Sequence, residues 1–168
     1  MTLKTIDRKK IGKQNRAKGL RFENSVRKDL ESQGWIVDKW SNNVEFFEEE
    51  NHIPDDDGIL VTGRLIPARR KYNPFNKALS IGTGFPDFII YTLGEDALEE
   101  TFGLSCTHED VFIIGLEVKS NGYLDKEEKL KCEWLLKNKV FSKILIASKD
   151  KSKKRVIVYK EFWDIKKK

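Results

Sequence analysis

Asp87, Glu117 and Lys119 are charged residues set at or within two otherwise apolar segments, PDFIIY and VFIIGLEVKS. In an extended strand, side chains two residues apart share a face, so Glu117 and Lys119 point together while Leu116 and Val118 turn towards a core. If the two segments are neighbouring strands, Asp87 stands beside Glu117. Two carboxylates and an ammonium on a largely apolar sheet are costly to desolvate unless something compensates. A divalent cation would compensate the acids, and Mg²⁺ takes hard oxygen ligands, usually one or two carboxylates with waters and phosphate oxygens. Such an ion polarises a phosphate and acidifies a bound water, and a nearby ammonium orients that water or stabilises the developing charge. These residue types therefore point to metal-assisted phosphodiester hydrolysis. The alternative is a strand-borne ion pair and a turn aspartate, which needs no catalysis.

Neither short pattern is specific alone. Pro-Asp occurs at Pro54-Asp55 and Pro86-Asp87, and Glu-x-Lys at Glu117–Lys119 and Glu127–Lys129. Context separates them. Pro54-Asp55 lies in the polar run NHIPDDDG, and Glu127–Lys129 lies in an expected helix, where residues two apart diverge.

Stepping outward, a helix is expected from Asn15, with Ala17, Leu20, Val26 and Leu30 near helical spacing, Phe22 alongside, and Gly34 as its stop. Residues 1–14 read as a basic arm. Trp35 to Trp40 alternates like a strand. Residues 42–82 read as an insertion: an acidic, turn-rich start, a hairpin in GILVTGRLIPARRKY, and a loop in NPFNKALSIGTG. PDFIIY and VFIIGLEVKS are strands, joined by a connection with a helical turn around Asp96–Glu100. Asp125 caps the next helix, Glu128 closes a capping box, and that helix runs to about Val140. KILIASK and KRVIVYKEFW complete the set as strands. The expected fold is a single α/β domain over 1–168, with a mixed central sheet flanked by helices.

Composition bounds the reading. The chain has 168 residues, 35% charged and 39% hydrophobic, with a net charge of +5. That charge is segregated: residues 1–34 carry ten Lys/Arg against four acids, 35–118 carry six against sixteen, and 119–168 carry sixteen against seven. Basic ends around an acidic middle suit a polyanion-binding surface enclosing carboxylates, and equally an ordinary solvated surface. Cys106 and Cys132 are too few for a disulfide framework, and no run is apolar enough for a bilayer or a secretory signal. The expectation is a soluble intracellular protein without a membrane partner.

Pro86-Asp87 followed by Glu117-Val118-Lys119 in an apolar strand resembles the PD-(D/E)xK nuclease superfamily. KGLRFENSVRKDLESQGW is similar to the opening of archaeal Holliday-junction resolvases and their viral relatives. The resemblance covers residues 13–40 and 83–149, a little over half of the chain. It implies a restriction-endonuclease-like core, helix-strand-strand-strand-helix-strand, with the insertion after the first strand. It implies Mg²⁺ or Mn²⁺ held by Glu23, Asp87, Glu117 and the backbone carbonyl of Val118, with Lys119 assisting the attacking water. It further implies a contribution from Ser41, and one from a helix residue at Lys131, with Lys129 or Lys126 as neighbouring choices. The partner it implies is DNA, first of all branched DNA, cut by a homodimer, and the setting includes a virus inside an archaeal host. A general duplex or single-strand nuclease and a non-cutting DNA-binding module remain alternatives.

Further DNA contacts are expected from Arg69, Arg70 and Lys71 beside Tyr72 and Phe75, and from Lys13, Arg16, Lys18 and Arg21. Gly82-Thr83-Gly84 could let backbone approach a phosphate. His52, His108 and the acidic runs Glu48–Glu50 and Asp55–Asp57 are assigned no metal.

Overall fold

The computed structural model describes residues 8–47, 62–68, 71–73, 78–80, 84–91 and 113–166. Expectations for Arg69, Arg70, Phe75, Gly82, Thr83, His52, His108, Cys106, the two acidic runs and the turn near Asp96–Glu100 lie outside these residues.

Helix α1 spans Arg8–Ser32 and buries Phe22, Val26 and Leu30, a four-residue repeat that keeps one face against the sheet. Two expectations are corrected here. The helix begins at Arg8 rather than Asn15, so half of the supposed arm is helical; Lys, Arg, Gln and Ala are good helix formers and no proline interrupts them. Leu20 is exposed and so is Ala17, because helical rotation carries both away from the Phe22 face. Gly34 ends the helix as expected, at φ +87°, where a side chain would be strained.

Five strands form the central sheet: β1 (Ile36–Lys39), β6 (Phe88–Tyr91), β7 (Ile114–Val118), β8 (Lys143–Lys149) and β9 (Ile157–Glu161), in the order β1-β6-β7-β8-β9. Only β7 and β8 are parallel, and the other neighbours are antiparallel. The parallel pair requires a crossover, which helix α2 (Lys126–Lys137) supplies. This is the α/β architecture with a mixed sheet that the sequence implies. α1 covers one face, packing on Val37, Ile90, Leu116 and Ala147. α2 and a short helix α3 (Phe162–Lys166) cover the other, where Cys132, Leu135 and Phe162 meet Ile144 and Ile146. With both faces covered, Ile144–Ala147 is buried without alternation.

The described parts of the insertion contain four short strands. Strands β2 (Asn42–Phe46) and β3 (Gly63–Pro67) pair with each other, and β4 (Lys71–Asn73) pairs with β5 (Ala78–Ser80). GILVTGRLIPARRKY therefore does not contribute the expected hairpin: its Gly63–Pro67 pairs back to Asn42–Phe46. Likewise part of the expected NPFNKALSIGTG loop is a strand. Val44 secures β2 by burying itself in the α2-side core. Strand formation depends on packing and distant partners more than on local composition, which is why the acidic start hid it.

The capping box at α2 is present, Asp125 accepting from Glu128 N–H and Glu128 accepting from Asp125 N–H, but the helix stops at Lys137, short of Val140. The last expected strand also stops early. After Glu161 the chain coils into α3, because Phe162 is fully buried on the α2 side. No helix among the described residues is long and apolar enough to cross a membrane.

Candidate active site

β6 and β7 pair with Phe88 opposite Leu116, and one further step sets Asp87 opposite Glu117. Asp87 lies just outside the strand, where three bonds hold it. Its N–H donates to Glu117 Oε2 at 3.1 Å, its Oδ2 accepts from Val118 N–H at 3.0 Å, and its carbonyl accepts from Trp40 N–H at 3.2 Å. The register is set by its surroundings: Gly115 sits where a Cβ would come 2.9 Å from the Pro86 ring. Gly84 is similarly confined, since a Cβ there would fall 2.2 Å from the Trp40 carbonyl oxygen. Its lack of a side chain therefore serves close backbone packing against Trp40 and Asn42.

Lys119 shares the Glu117 face, as strand geometry requires. Its ammonium is 3.3 Å from Glu117 Oε1 and is also paired with Glu128 on the first turn of α2. On the α1 side, Lys39 Nζ lies 2.7 Å from Glu23 Oε2 and 4.0 Å from Asp87 Oδ1, and 4.1 Å above the Phe88 ring. Asp87 thus links two charge groups at one end of the sheet: Glu117, Lys119 and Glu128 towards α2, and Lys39 and Glu23 towards α1.

Burial gives these acids unusual protonation behaviour. Glu117 is 5% exposed. Burial, reinforced by the Asp87 charge and opposed by Lys119, pushes its carboxyl up to about 8. Asp87 is also raised, by burial above all; the Val118 N–H bond pulls the other way, Glu23 adds to the rise, and Lys39 and Lys119 oppose it. For Lys119, burial pulls the ammonium down, but its bonds and attraction to Glu128 and Glu117 outweigh this and raise it. Two carboxyl groups this close together and this buried resist losing both protons.

The donor set fits a hard divalent ion. Asp87 and Glu117 present carboxylate oxygens from adjacent strand ends, and Mg²⁺ needs no more than two. No group of three or more Asp, Glu, His or Cys residues gathers as a metal cage among the described residues. Glu23, the expected third acid, reaches Asp87 only through Lys39. Cys132 is fully buried, and burial together with the Glu117 and Glu128 charges pushes its thiol up.

The remaining expected residues sit on several elements. Val118 is fixed beside Asp87 through its N–H. Ser41 is exposed, its carbonyl accepting from Ala68 N–H at 2.7 Å. Lys131 pairs with Glu127 at 2.7 Å and stands 5.7 Å over the ring of Phe85, two residues before Asp87, one helical turn along α2 from Glu128. Lys13, Arg16, Lys18 and Arg21 are exposed on α1, and Lys71 lies in β4. Two residues of the cluster were not anticipated. Lys39 was legible as a lone charge on the inward face of β1. The sequence marks Glu128 only as a capping residue, whereas the helix start sets it against Lys119 at the end of β7.

No protein-family model matches the chain, and neither a curated protein nor a solved structure matches it.

Proposed function

We propose that the chain is a divalent-metal-dependent DNA endonuclease with a PD-(D/E)xK-type centre formed by Asp87, Glu117 and Lys119. The observation carrying this reading is the pairing of Asp87 with Glu117 across adjacent strand ends, with Lys119 on the same face as Glu117. The order helix, strand, ribbon, two strands, helix and strand supports a restriction-endonuclease-like core.

A divalent ion held by Asp87 and Glu117 would supply Lewis acidity at the phosphate and a more acidic bound water. The chain's own groups do the rest. Asp87 and Glu117 are locked in place by the Val118 and Asp87 amides, so their oxygens need no reorganisation. Lys119, held by Glu128 and Glu117, keeps its proton and can donate a hydrogen bond to the attacking water or the developing oxyanion. Glu23 joins the centre as a further acid when Lys39 releases it. Branched DNA cut by a homodimer is the first substrate reading, since paired cuts in a four-way junction need two centres.

One observation favours a non-cutting DNA-binding module instead: Lys39 already bridges Glu23 and Asp87 as an internal cation. A single experiment separates the readings. The protein is incubated with a four-way junction, a linear duplex, a flap and a single strand, in Mg²⁺, Mn²⁺ or chelator. Metal-dependent cutting of the junction above its linear arms is expected. Equal cutting of every substrate would remove the junction preference, and salt-sensitive binding without cutting would leave only the binding module.

A further inference from the structure

A cleft of about 670 Å³ lies between α1 and the turn joining β8 to β9. Lys18 and Arg21 line one wall, Lys149 and Arg155 the other, and Phe22 and Ile157 form part of the apolar floor. No acidic residue is among its lining residues. Lys149 is fixed, its ammonium 5.1 Å over the Phe22 ring and its N–H bonded to the Ser120 carbonyl. Arg155 is exposed in the turn at φ +67°, and Lys151, Lys153 and Lys154 are exposed just before it.

The cleft opens at the same end of the sheet as the carboxylates. Lys149 lies two residues beyond Ala147, which pairs with Val118, and Phe22 immediately precedes Glu23. With Lys18 and Arg21 included, the Arg8–Arg21 stretch of α1 has seven cations and no acid in its sequence. The four cations that line the cleft repel one another, and a polyanion with regularly spaced charges relieves that repulsion by displacing counterions.

We infer that this cleft binds the phosphate backbone of a DNA strand and leads it to the Asp87–Glu117 pair. The direction of that strand towards the pair rests on the proposed nuclease function; the binding itself does not. Contacts of this kind supply affinity without sequence choice.

The test is binding of a short fluorescent DNA duplex to the full chain in chelator, titrated at several salt concentrations. It compares the wild type with Lys18→Ala/Arg155→Asn, and with Lys28→Ala/Lys137→Ala as a charge-matched control. Asn is chosen at 155 because it tolerates positive φ. The cleft variant is expected to bind roughly tenfold or more weaker near 0.1 M salt, with a log–log salt slope shallower by about two, one phosphate contact per lost cation. The control keeps both values. No DNA binding by the wild type, unchanged binding by the cleft variant, or equal weakening by the control would each overturn the inference. Cutting in Mg²⁺ is scored separately. A nuclease whose cleft variant binds normally refutes the cleft alone, whereas a cleft-dependent binder that never cuts refutes the nuclease alone.

Discussion

Lys39 and Glu23 are joined at 2.7 Å across the gap between β1 and α1, and the same ammonium stands 4.0 Å from the Asp87 carboxylate. Lys39 therefore places its positive charge in the neighbourhood a divalent ion would neutralise. Its side chain is 48% exposed, so it can swing out to solvent. Removing it should favour the ion. Lys39→Met is expected to bind Mn²⁺ severalfold more tightly by calorimetry at pH 8, and a weaker or unchanged affinity would show that Lys39 does not compete for these acids.

Neutralising the acid pair should separate activity from stability. Asp87→Asn and Glu117→Gln are each expected to lower cleavage by about a thousandfold or more, the loss of several kcal/mol of charge stabilisation. DNA binding in chelator should be spared. Glu117→Gln should also raise the Tm of the metal-free protein above pH 8, because an amide escapes the penalty of burying a charge. Each kcal/mol corresponds to about 2–4 °C for a chain of this size. A lower Tm at that pH would contradict the burial argument.

The pH dependence follows from Glu117, whose carboxyl is raised from its usual 4.5 to about 8. Between those values the folded state holds a proton that the unfolded chain has released, so stability of the metal-free protein falls as pH rises and levels off above about 8. Asp87, shifted in the same direction, steepens the fall. A cation competes with that proton. The Tm gain on adding Mg²⁺ should therefore grow from pH 6 to pH 9 in thermal melts, and a gain independent of pH would place the ion elsewhere.

Glu128 holds Lys119 and also closes the capping box of α2, and two substitutions distinguish these roles. Glu128→Gln keeps a side chain that can complete the box. It should leave Tm nearly unchanged while lowering kcat and shifting its pH profile, since Lys119 loses a charged partner. Glu128→Ala should add a stability loss of about 1 kcal/mol, typical of cap removal. Lys119→Met should cost roughly a hundredfold or more in kcat, the scale of one lost oxyanion donor. Equal kcat for Glu128→Gln and wild type would make Glu128 a cap and nothing else.

Much of this was readable along the chain. Short apolar runs in PDFIIY and VFIIGLEVKS marked β6 and β7, and the two-residue period of a strand put Glu117 and Lys119 on one face. Periodicity failed where a partner was distant or a boundary ambiguous. Asn42–Phe46 became a strand because Gly63–Pro67 and the α2-side core receive it, and Phe162 turned the last strand into a helix by packing inward.

Side-chain identity and local period sufficed for which acids and which lysine stand on the sheet, because both are properties of a few consecutive residues. Long-range arrangement decided the rest. The antiparallel register of β6 and β7 put Asp87 opposite Glu117, the docking of α1 brought Glu23 to Lys39 rather than to the acid pair, and the crossover through α2 delivered Glu128 to Lys119. Each of these joins residues from separate elements, and a Coulombic contact of that kind depends on packed geometry that no stretch of sequence contains.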